Sequence, residues 1–357
     1  CVKDKNISPR RYSLSLFEVL ELNRGIVYEQ GERHRRQKRL CIPAFEQSSS
    51  MASYYDAVLQ ECRLLAQGWR EAAGEKGAGG CTRLDLYEEM RKLTLNVVLR
   101  VTFGLGSGAR EVGIGGELSR IIAAYLEAIV ATANEVPPLW QISPRLSRNY
   151  LAVTETLLPR LRELVAALIA ERRRRDGPSL LCNSSGPAAR SDLLSILARA
   201  PELEDEDILY ILFDLVIAGS DTTASTLTAA FYLIHEQRHA RILQRALAEA
   251  RSSCVDAVPL DQLRDALPYL GAIARETLRL YPPVPFIGRT SVREATVGAC
   301  AVPEGATLCW SPFYLGREPS SWGVDADTFR PERWVDDPAR GGAPSSFCWL
   351  PSDAELL

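Results

Sequence analysis

Long apolar runs, paired cysteines and a strong charge of either sign are all missing from this sequence. No stretch of 18 apolar residues occurs, and the best candidate, 208–218, is interrupted by Asp214, so no membrane-spanning helix is predicted. The nine cysteines are scattered singly, without a CxxC pair, which disfavours a zinc knuckle or disulfide scaffold and favours a reducing environment. The net charge of -3 argues against nucleic acid as the main partner.

An initiating methionine and a signal-peptide pattern are also missing. The chain opens with CVKDKNISPRRY, which has no apolar core of the signal-peptide kind. We therefore expect the N-terminus to be incomplete. The 357 residues, 46% of them apolar, are nevertheless enough to fill a large core.

Helical periodicity dominates the sequence. In 85–104 the apolar residues Leu86, Met90, Leu93, Val97 and Val101 fall three or four apart, which places them on one face of a helix. Similar stripes predict helices over 51–70, 116–133, 151–174 and 205–236.

The sequence pattern changes from helical periodicity to β-prone runs at about residue 285. Two β-prone runs, 296–302 and 306–310, flank Pro303-Glu304-Gly305, which predicts a hairpin. The expected fold is mainly α, with a small β-sheet region near the C-terminal end.

The first motif is Ala218-Gly219-Ser220-Asp221-Thr222, inside an otherwise apolar helix. Glycine in a helix interior costs up to about 1 kcal/mol, so something should compensate. Small residues here would let a flat ligand approach the backbone, and the Thr222 hydroxyl can bond back to the Ala218 carbonyl and open the helix locally. A close helix–helix crossing with an acid on the helix surface explains the same segment equally well.

Two further motifs carry charge. Glu276 and Arg279 are three apart, in the sequence ETLRLYPP, and can form a same-face ion pair. Arg333, in FRPERW over 329–334, could reach back to Glu276 as a second guanidinium. Each motif alone is weak evidence, because an exposed ion pair of this kind is common and contributes little.

Together, and in this order, the motifs resemble those of the cytochrome P450 family. The basic run 32–39, followed by Pro43-Ala44-Phe45, resembles the family's helix that touches the haem propionates. The resemblance extends from about residue 20 to residue 351 and is closest to eukaryotic microsomal-type members, with GERHRRQKR in a fungal form. It implies the cytochrome P450 fold, with a partial domain over 1–351 and a divergent tail over 352–357.

The resemblance implies roles for matching residues. Asp221 and Thr222 resemble the acid–alcohol pair that delivers protons to iron-bound dioxygen. Glu276, Arg279 and Arg333 resemble the buried structural triad, in which one carboxylate is shared by two guanidinium groups. The cofactor would be haem b, contacted by His34, Lys38, Arg289, Ala218 and Gly219.

The resemblance also implies partners. They are O2, a small hydrophobic substrate and an NADPH-dependent flavoprotein reductase, with Arg35, Arg36 and Arg39 as candidates for the reductase-docking surface. A solvated helix face explains these arginines equally well. The implied location of the whole protein is the cytosolic face of the endoplasmic reticulum membrane.

The family's iron ligand lies in a loop of the form F-x-x-G-x-R-x-C-x-G, and no such loop is printed here. Phe347 to Pro351 resemble the residues that precede this loop in the family, but 352–357 read SDAELL. Cys348 lacks the glycines and arginine that tune a ligating thiolate, so we expect an ordinary buried thiol there. The chain as printed is therefore expected to lack the axial cysteine and to be inactive, and the alternative is a non-catalytic remnant.

Two other functions compete. His235-Glu236-Gln237-Arg238-His239 is a formal HExxH, which on a helix would indicate a zinc metalloprotease. The run RHRRQKR is typical of nuclear-localisation or nucleic-acid patches, but no second basic patch supports that interpretation.

Overall fold

In the computed structural model, helices dominate the described residues, which are 10–11, 16, 18, 20, 24–46, 48–74, 83–105, 114–176, 192–253 and 258–335. This agrees with the mainly α class expected from the periodicity. The longer helices are α1 (Gly31–Glu46), α2 (Ser48–Gly74), α3 (Leu86–Phe103), α4 (Ile114–Ala133), α7 (Leu158–Asp176), α9 (Asp205–His235), α10 (Ala240–Ser252) and α12 (Pro268–Leu280). The shorter ones are α5 (Leu139–Ile142), α6 (Arg148–Leu151), α8 (Leu193–Ala198), α11 (Leu263–Ala266), α13 (Pro312–Leu315) and α14 (Pro319–Trp322).

The predicted helices are all present, with ends that local chemistry explains. Helix α3 agrees with the predicted range 85–104 to within one residue at each end. The Asp85 carboxylate accepts a hydrogen bond from the Glu88 amide at 3.1 Å, as an N-cap does. Arg100 lies in its last turn, where a cation suits the helix dipole. The stripe predicted over 151–174 is helical too, but it begins with a π-helical turn at Ala152–Leu157 before α7.

The chain forms two compact units. The helical unit comprises Ser13–Gly79 and Leu93–Ser220, and the mixed unit comprises Cys1–Tyr12, Gly80–Lys92 and Asp221–Leu357. The division falls inside α3 and inside α9, so each of these helices contributes residues to both units.

The helical unit has a large apolar core. Its members come mainly from α3, α4, α7, α8 and the first half of α9. Full burial of each aliphatic or aromatic side chain stabilises the fold by about 1.5–3 kcal/mol. The most deeply buried include Phe103, Leu118, Leu161, Val165, Ile169, Leu193, Leu197, Ile211 and Leu212. The stripes read from the sequence therefore mark core positions.

The mixed unit contains a smaller core and two small antiparallel sheets. Leu233, Ile242, Tyr269, Ile273 and Phe329 are among the core residues. The three-stranded sheet has the order β1 (Arg10–Arg11), β2 (Ile287–Thr290), β5 (Thr307–Trp310), and the two-stranded sheet pairs β3 (Ala295–Val297) with β4 (Cys300–Val302).

The predicted hairpin around Pro303-Glu304-Gly305 is wrong in its pairing. Strand β4 pairs with β3, across a turn in which Gly298 has φ +59°, whereas β5 pairs with β2. The Pro303–Gly305 turn instead joins the two sheets, and Ser291 holds it: its hydroxyl donates to the Pro303 carbonyl at 2.6 Å and accepts from the Ala306 amide at 2.9 Å. The positive φ at Gly298 and the two Ser291 hydrogen bonds favour this pairing over a hairpin at Pro303–Gly305.

One described helix, α9, is long and apolar enough to cross a membrane by length and composition alone. Of its most apolar stretch, 56% is buried inside the protein. A buried core helix meets the same criterion, so this carries little weight as evidence for a span.

Candidate functional site

The carboxylate of Glu276, on α12, is the centre of a buried charged cluster in the mixed unit. Arg279 donates two hydrogen bonds to it, from Nε to Oε2 at 2.8 Å and from Nη2 to Oε1 at 2.7 Å. Arg333 Nε and the Arg330 amide each donate to Oε1 at 2.9 Å, and the indole Nε1 of Trp334 donates to Oε2 at 2.9 Å. A single carboxylate therefore joins α12 to the segment 330–334.

Arg279 uses all five of its N–H donors. Besides the two bonds to Glu276, Nη2 donates to the Thr328 carbonyl at 3.1 Å, and Nη1 donates to the carbonyls of Gly316 and Ala326. Its guanidinium also lies over the Trp322 ring, 5.0 Å from the centroid. A buried charge is tolerated when every donor is satisfied in this way.

Arg333 provides the second guanidinium suggested by its place in the sequence. Its Nη2 approaches Asp325 Oδ2 at 3.4 Å and the Asp325 carbonyl at 3.3 Å. Arg330 Nε also lies 3.1 Å from Asp325 Oδ2, so three guanidinium groups surround the two carboxylates of Glu276 and Asp325. The structure brings Glu276, Arg279 and Arg333 together, while Asp325 and the Arg330 amide are partners that the sequence motifs gave no means to identify.

Gly316 lets the chain approach the end of α12. A Cβ at this position would lie 2.1 Å from the Arg279 backbone oxygen. Only glycine fits so close an approach, and it places the Gly316 carbonyl where Arg279 can donate to it.

A glutamate from α10 fixes the other end of α12. Both oxygens of Glu249 accept from amides in the first turn, those of Tyr269 and Leu270, at 2.8 Å each. The residue preceding α12, Leu267, offers no side-chain cap, so this long-range carboxylate satisfies donors that would otherwise lack a partner. Sequence patterns for local capping could not have revealed it.

The segment Ala218–Thr222 lies in the interior of α9, as predicted. Ala218 is exposed although Val216 and Ser220 on either side are buried. A Cβ on Gly219 would approach Val98 Cγ2 to 3.0 Å. The close approach that glycine permits is therefore used by a neighbouring helix, α3, as the helix-crossing interpretation requires.

Asp221 is half-buried, and its pKa is raised above the ordinary value of 3.8. Desolvation is the largest cause; the Arg91 guanidinium lowers the pKa and the Glu88 carboxylate raises it further. Arg91 and Glu88 lie 3.5 Å apart as an ion pair on α3. Thr222, the next residue, accepts from the Thr226 hydroxyl through its carbonyl at 2.8 Å.

The predicted cofactor contacts are divided between the units. His34 and Lys38 are one turn apart on α1, in the helical unit. Ala218 and Gly219, on the first half of α9, belong to the same unit. Arg289 lies on the central strand of the three-stranded sheet, in the mixed unit, with Asp221, Thr222 and the Glu276 cluster.

Arg289 is a half-buried cation on a strand between two others. Desolvation lowers the pKa of its guanidinium, and within the described part of the chain no carboxylate forms an ion pair with it. Partial burial of a cation is unfavourable unless an anion compensates. The arrangement is suited to an anionic group supplied by a ligand.

The HExxH interpretation is wrong. A zinc site of this kind needs both histidines on one helix face, but α9 ends at His235 and a 3₁₀ turn, Gln237–His239, follows. His239 is buried, with its Nδ1 donating to the Leu233 carbonyl at 2.7 Å and its ring 5.3 Å from that of Phe329. Among the described residues no group of three potential ligands could hold a metal ion.

The other predicted sites are the basic helix face and the C-terminal segment. Arg35 is exposed and pairs with Glu32 at 2.9 Å, and Arg39 is exposed on the same helix, as either interpretation of that face allows. Cys348 and the tail 352–357 lie outside the described residues.

Comparison with known proteins identifies the family. The cytochrome P450 family model matches residues 2–351. Among curated proteins, the chain is 30% identical to a cyclooctat-9-en-7-ol 5-monooxygenase of Streptomyces melanosporofaciens, over 89% of this chain and 64% of that protein. It is 26% identical to cytochrome P450 monooxygenase 91 of Postia placenta, over 94% and 67% respectively.

The chain therefore belongs to the cytochrome P450 family, whose members depend on haem iron. A third relative is cytochrome P450 monooxygenase sphH of Aspergillus fumigatus, 25% identical over 92% of this chain and 61% of the relative. The chain thus spans roughly two thirds of the length of these relatives.

Proposed function

We propose that this protein is a haem-dependent monooxygenase that uses O2 and supplied electrons to oxidise a hydrophobic organic substrate. Membership of the family supports the cofactor, and the names of its relatives support the reaction. The observation within this chain that carries the proposal is the half-buried Arg289 guanidinium, which has no carboxylate partner among the described residues.

The chemistry of that position fits haem. A haem propionate is an anion, and a charge-assisted bond to it would offset the desolvation of Arg289. In the helical unit, the resemblance assigns propionate contacts to His34 and Lys38, which share one face of α1. Lys38 would act as a point charge rather than a planar fork. Lys38 also forms no ion pair within the described part of the chain, which leaves its ammonium available to an anion.

Haem, when bound, supplies the iron at which this family activates O2. The residues of this chain would hold and move the protons that the reaction consumes. The Asp221 carboxyl retains its proton to a higher pH than an ordinary aspartate, and the Thr222 hydroxyl on the adjacent residue can accept that proton and donate its own. The exposed Ala218 methyl leaves room on α9 for a flat ligand.

We propose that no described residue supplies the axial thiolate. Cys41 is buried, and burial raises the pKa of its thiol to about 12, so it remains protonated. Cys62, Cys300 and Cys309 are exposed, without the enclosed, donor-lined surroundings that tune a ligating sulfur. If so, the described residues provide haem contacts and proton donors but not the ligand.

The substrate is proposed to be apolar. In the helical unit Val136 and Ile142 are exposed and Trp140 is buried; in the mixed unit Val284 and Phe286 are exposed. Apolar side chains predominate in pockets for hydrophobic molecules. These residues suit such a substrate and specify nothing finer.

The electron donor and the location are proposed from the resemblance. An NADPH-dependent flavoprotein reductase would dock on the basic face of α1 through Arg35, Arg36 and Arg39, because complementary charge steers such encounters. The eukaryotic microsomal type, with the whole protein at the endoplasmic reticulum membrane, is the corresponding assignment.

The test is a haem titration of the full chain, followed by the absorption of the reduced, carbon-monoxide-bound complex. Arg289→Met should weaken haem binding about tenfold or more, because a charge-assisted bond contributes about 1.5–3 kcal/mol. Arg264→Met, at an exposed position of α11, is the matched control and should bind haem like the parent.

The spectrum separates the alternatives. A Soret band that is not of the thiolate type is expected from the printed chain. A red-shifted thiolate band would mean that a cysteine of this chain, such as Cys348, ligates the iron. A chain that folds but binds no haem would overturn the proposal and favour the non-catalytic alternative.

A further inference from the structure

The segment that leads into α1 is fastened to the first half of α9. The backbone amide of Val27 donates to Asp214 Oδ2 at 2.7 Å. Arg24 Nη2 pairs with Glu206 Oε2 at 3.1 Å, and its guanidinium lies over the Tyr210 ring, 5.1 Å from the centroid. All these residues belong to the helical unit. We call residues 24–30 the lead-in segment.

The contacts on α9 fall on one helical stripe. Asp207, Tyr210 and Asp214 are three and four residues apart, so their side chains share a face. Asp207 pairs with Arg33, which is on the first turn of α1. The stripe therefore holds both the lead-in segment and the beginning of the helix that follows it.

Asp214 is the buried member of the stripe, with only 6% of its surface exposed, inside an apolar stretch of helix. Placing a carboxylate there is costly unless hydrogen bonds compensate. The Val27 amide supplies one of them, and it is a backbone group, so it fixes the path of the chain rather than the position of a side chain.

Gly25 shows how closely the lead-in segment lies against α9. A Cβ on Gly25 would be 2.3 Å from Asp214 Oδ2 and 2.7 Å from the Tyr210 backbone oxygen. No residue other than glycine can be accommodated without displacing the segment. Gly25 and Asp214 are thus complementary: one permits the approach and the other secures it.

Whatever fixes the lead-in segment also fixes α1. The helix begins at Gly31, and His34 lies about one turn and Lys38 about two turns into it. Gln37, buried on the same helix, points its Nε2 back towards the Arg24 carbonyl at 3.5 Å. The start of α1 is therefore held both through the chain and through its own side chains.

We infer that Asp214 is a positioning residue for haem binding: by holding Val27 and the lead-in segment, it sets the place and orientation of His34 and Lys38. The inference rests on the proposed function, in which these two side chains bind the propionates. Asp214 touches neither the cofactor nor the substrate in this account.

The experiment compares four variants of the full chain with the parent after haem loading. Asp214→Leu removes the acceptor at similar volume, and Asp214→Asn retains an acceptor oxygen. Gly25→Ala displaces the segment while leaving Asp214 intact. Glu163→Gln, which weakens an exposed ion pair with Arg160 on α7, is the control. Three quantities are measured: the rate of haem release to an acceptor protein, amide exchange at Val27, and the melting temperature of the haem-free chain.

We expect Asp214→Leu and Gly25→Ala to release haem about 10- to 100-fold faster, the range for partners that orient a ligating group, with faster exchange at Val27. Asp214→Asn should restore most of the parent behaviour, and Glu163→Gln should match the parent. If the leucine variant does not fold, the haem-release rates of Gly25→Ala and Asp214→Asn test the positioning role of Asp214.

A purely structural role would give a different result. In that case Asp214→Leu and Gly25→Ala would melt at lower temperature, yet the folded fraction would release haem at the parent rate, and the inference would be wrong. If the parent chain binds no haem at all, both the proposed function and this role fail. Slow exchange at Val27 in the haem-free parent would then still show that the fastening itself exists.

Discussion

The indole Nε1 of Trp334 donates to Oε2 of Glu276 at 2.9 Å, across 58 residues of sequence. It is the fifth donor to this carboxylate, after two from Arg279 and one each from Arg333 and the Arg330 amide. A carboxylate has about four lone-pair sites, so Glu276 is fully occupied. The motif residues of α12 and of 330–334 are thus parts of a single arrangement.

Replacing Glu276 by glutamine should destabilise the protein by about 3–5 kcal/mol, the range for breaking one partner of a buried ion pair. The amide would present N–H groups to donors that need an acceptor, and it would leave two guanidinium groups with reduced compensation. Urea unfolding followed by far-ultraviolet circular dichroism measures the change. Glu304→Gln, at an exposed turn, is the control, and a loss from Glu276→Gln no larger than the control's would contradict the prediction.

Two glycines of the mixed unit should respond to alanine in opposite directions. Gly316→Ala introduces a Cβ 2.1 Å from the Arg279 backbone oxygen, which forces the chain off α12 and costs about 1–3 kcal/mol or more, as overpacking does. Gly271→Ala lies inside α12, with its nearest contact at 3.8 Å, and should stabilise by up to about 1 kcal/mol because alanine favours the helix.

Thermal unfolding of the two glycine variants under the same conditions tests this pair. Equal effects of the same sign would show that the close approach at Gly316 is absent. A large loss at Gly316 alone would instead show that the approach of this glycine to α12 is required for stability.

The stability of the protein should carry a pH dependence from Asp221. Because burial raises its folded pKa above the ordinary 3.8, the folded protein binds this proton more tightly than the unfolded chain does. The contribution to stability therefore falls as the pH rises from 3.8 through the folded pKa, and at neutral pH the ionised group is destabilising.

Asp221→Asn removes that dependence. The variant should melt at a higher temperature than the parent at neutral pH, and the difference should shrink as the pH approaches 3.8. Melting curves across this interval measure it. A difference that grows on acidification would mean that the folded pKa is lowered instead, with Arg91 outweighing the desolvation.

The cysteines should react unequally with an alkylating reagent at neutral pH. Burial raises the pKa of the Cys41 thiol to about 12, so almost none of it is thiolate, and the group is enclosed as well. Cys62, Cys300 and Cys309 are exposed and should be labelled first. Peptide mass spectrometry of the native protein reads each site, and labelling after unfolding is the control in which Cys41 should react like the others.

Much of the fold could be predicted because helical periodicity records which face is buried. The stripe containing Leu86 and Met90 became α3, and the ion pair of Glu276 with Arg279 follows from their spacing alone. The pairing of β3 with β4 could not be predicted as easily, because it depends on a positive φ at Gly298 and on a latch at Ser291. Both features depend on single residues within a short stretch that has little hydrophobic periodicity.

The site was predictable only in part, for a related reason. Contacts between side chains three or four residues apart can be predicted from spacing. The Asp325 carboxylate instead contacts Arg333 eight residues away, and the Arg330 amide and the cap from Glu249 act across 20 residues or more. In the sequence, Asp214 is recognisable only as an interruption of an apolar run. Its bond to the Val27 amide required the three-dimensional structure, since no pattern links positions 27 and 214.

The Glu276 cluster also affects the order in which the two units can fold during synthesis. Its donors at Arg330, Arg333 and Trp334 lie 54–58 residues downstream of the carboxylate. At a synthesis rate of about 5–20 residues per second, the ribosome needs roughly 3–12 s to produce them. During that interval the Glu276 carboxylate and the Arg279 guanidinium on α12 have only each other and water as partners, so burying them within the nascent mixed unit is unfavourable. Its folding must wait for the arrival of the 330–334 segment, whereas the apolar core of the helical unit, complete by Val216, can condense earlier.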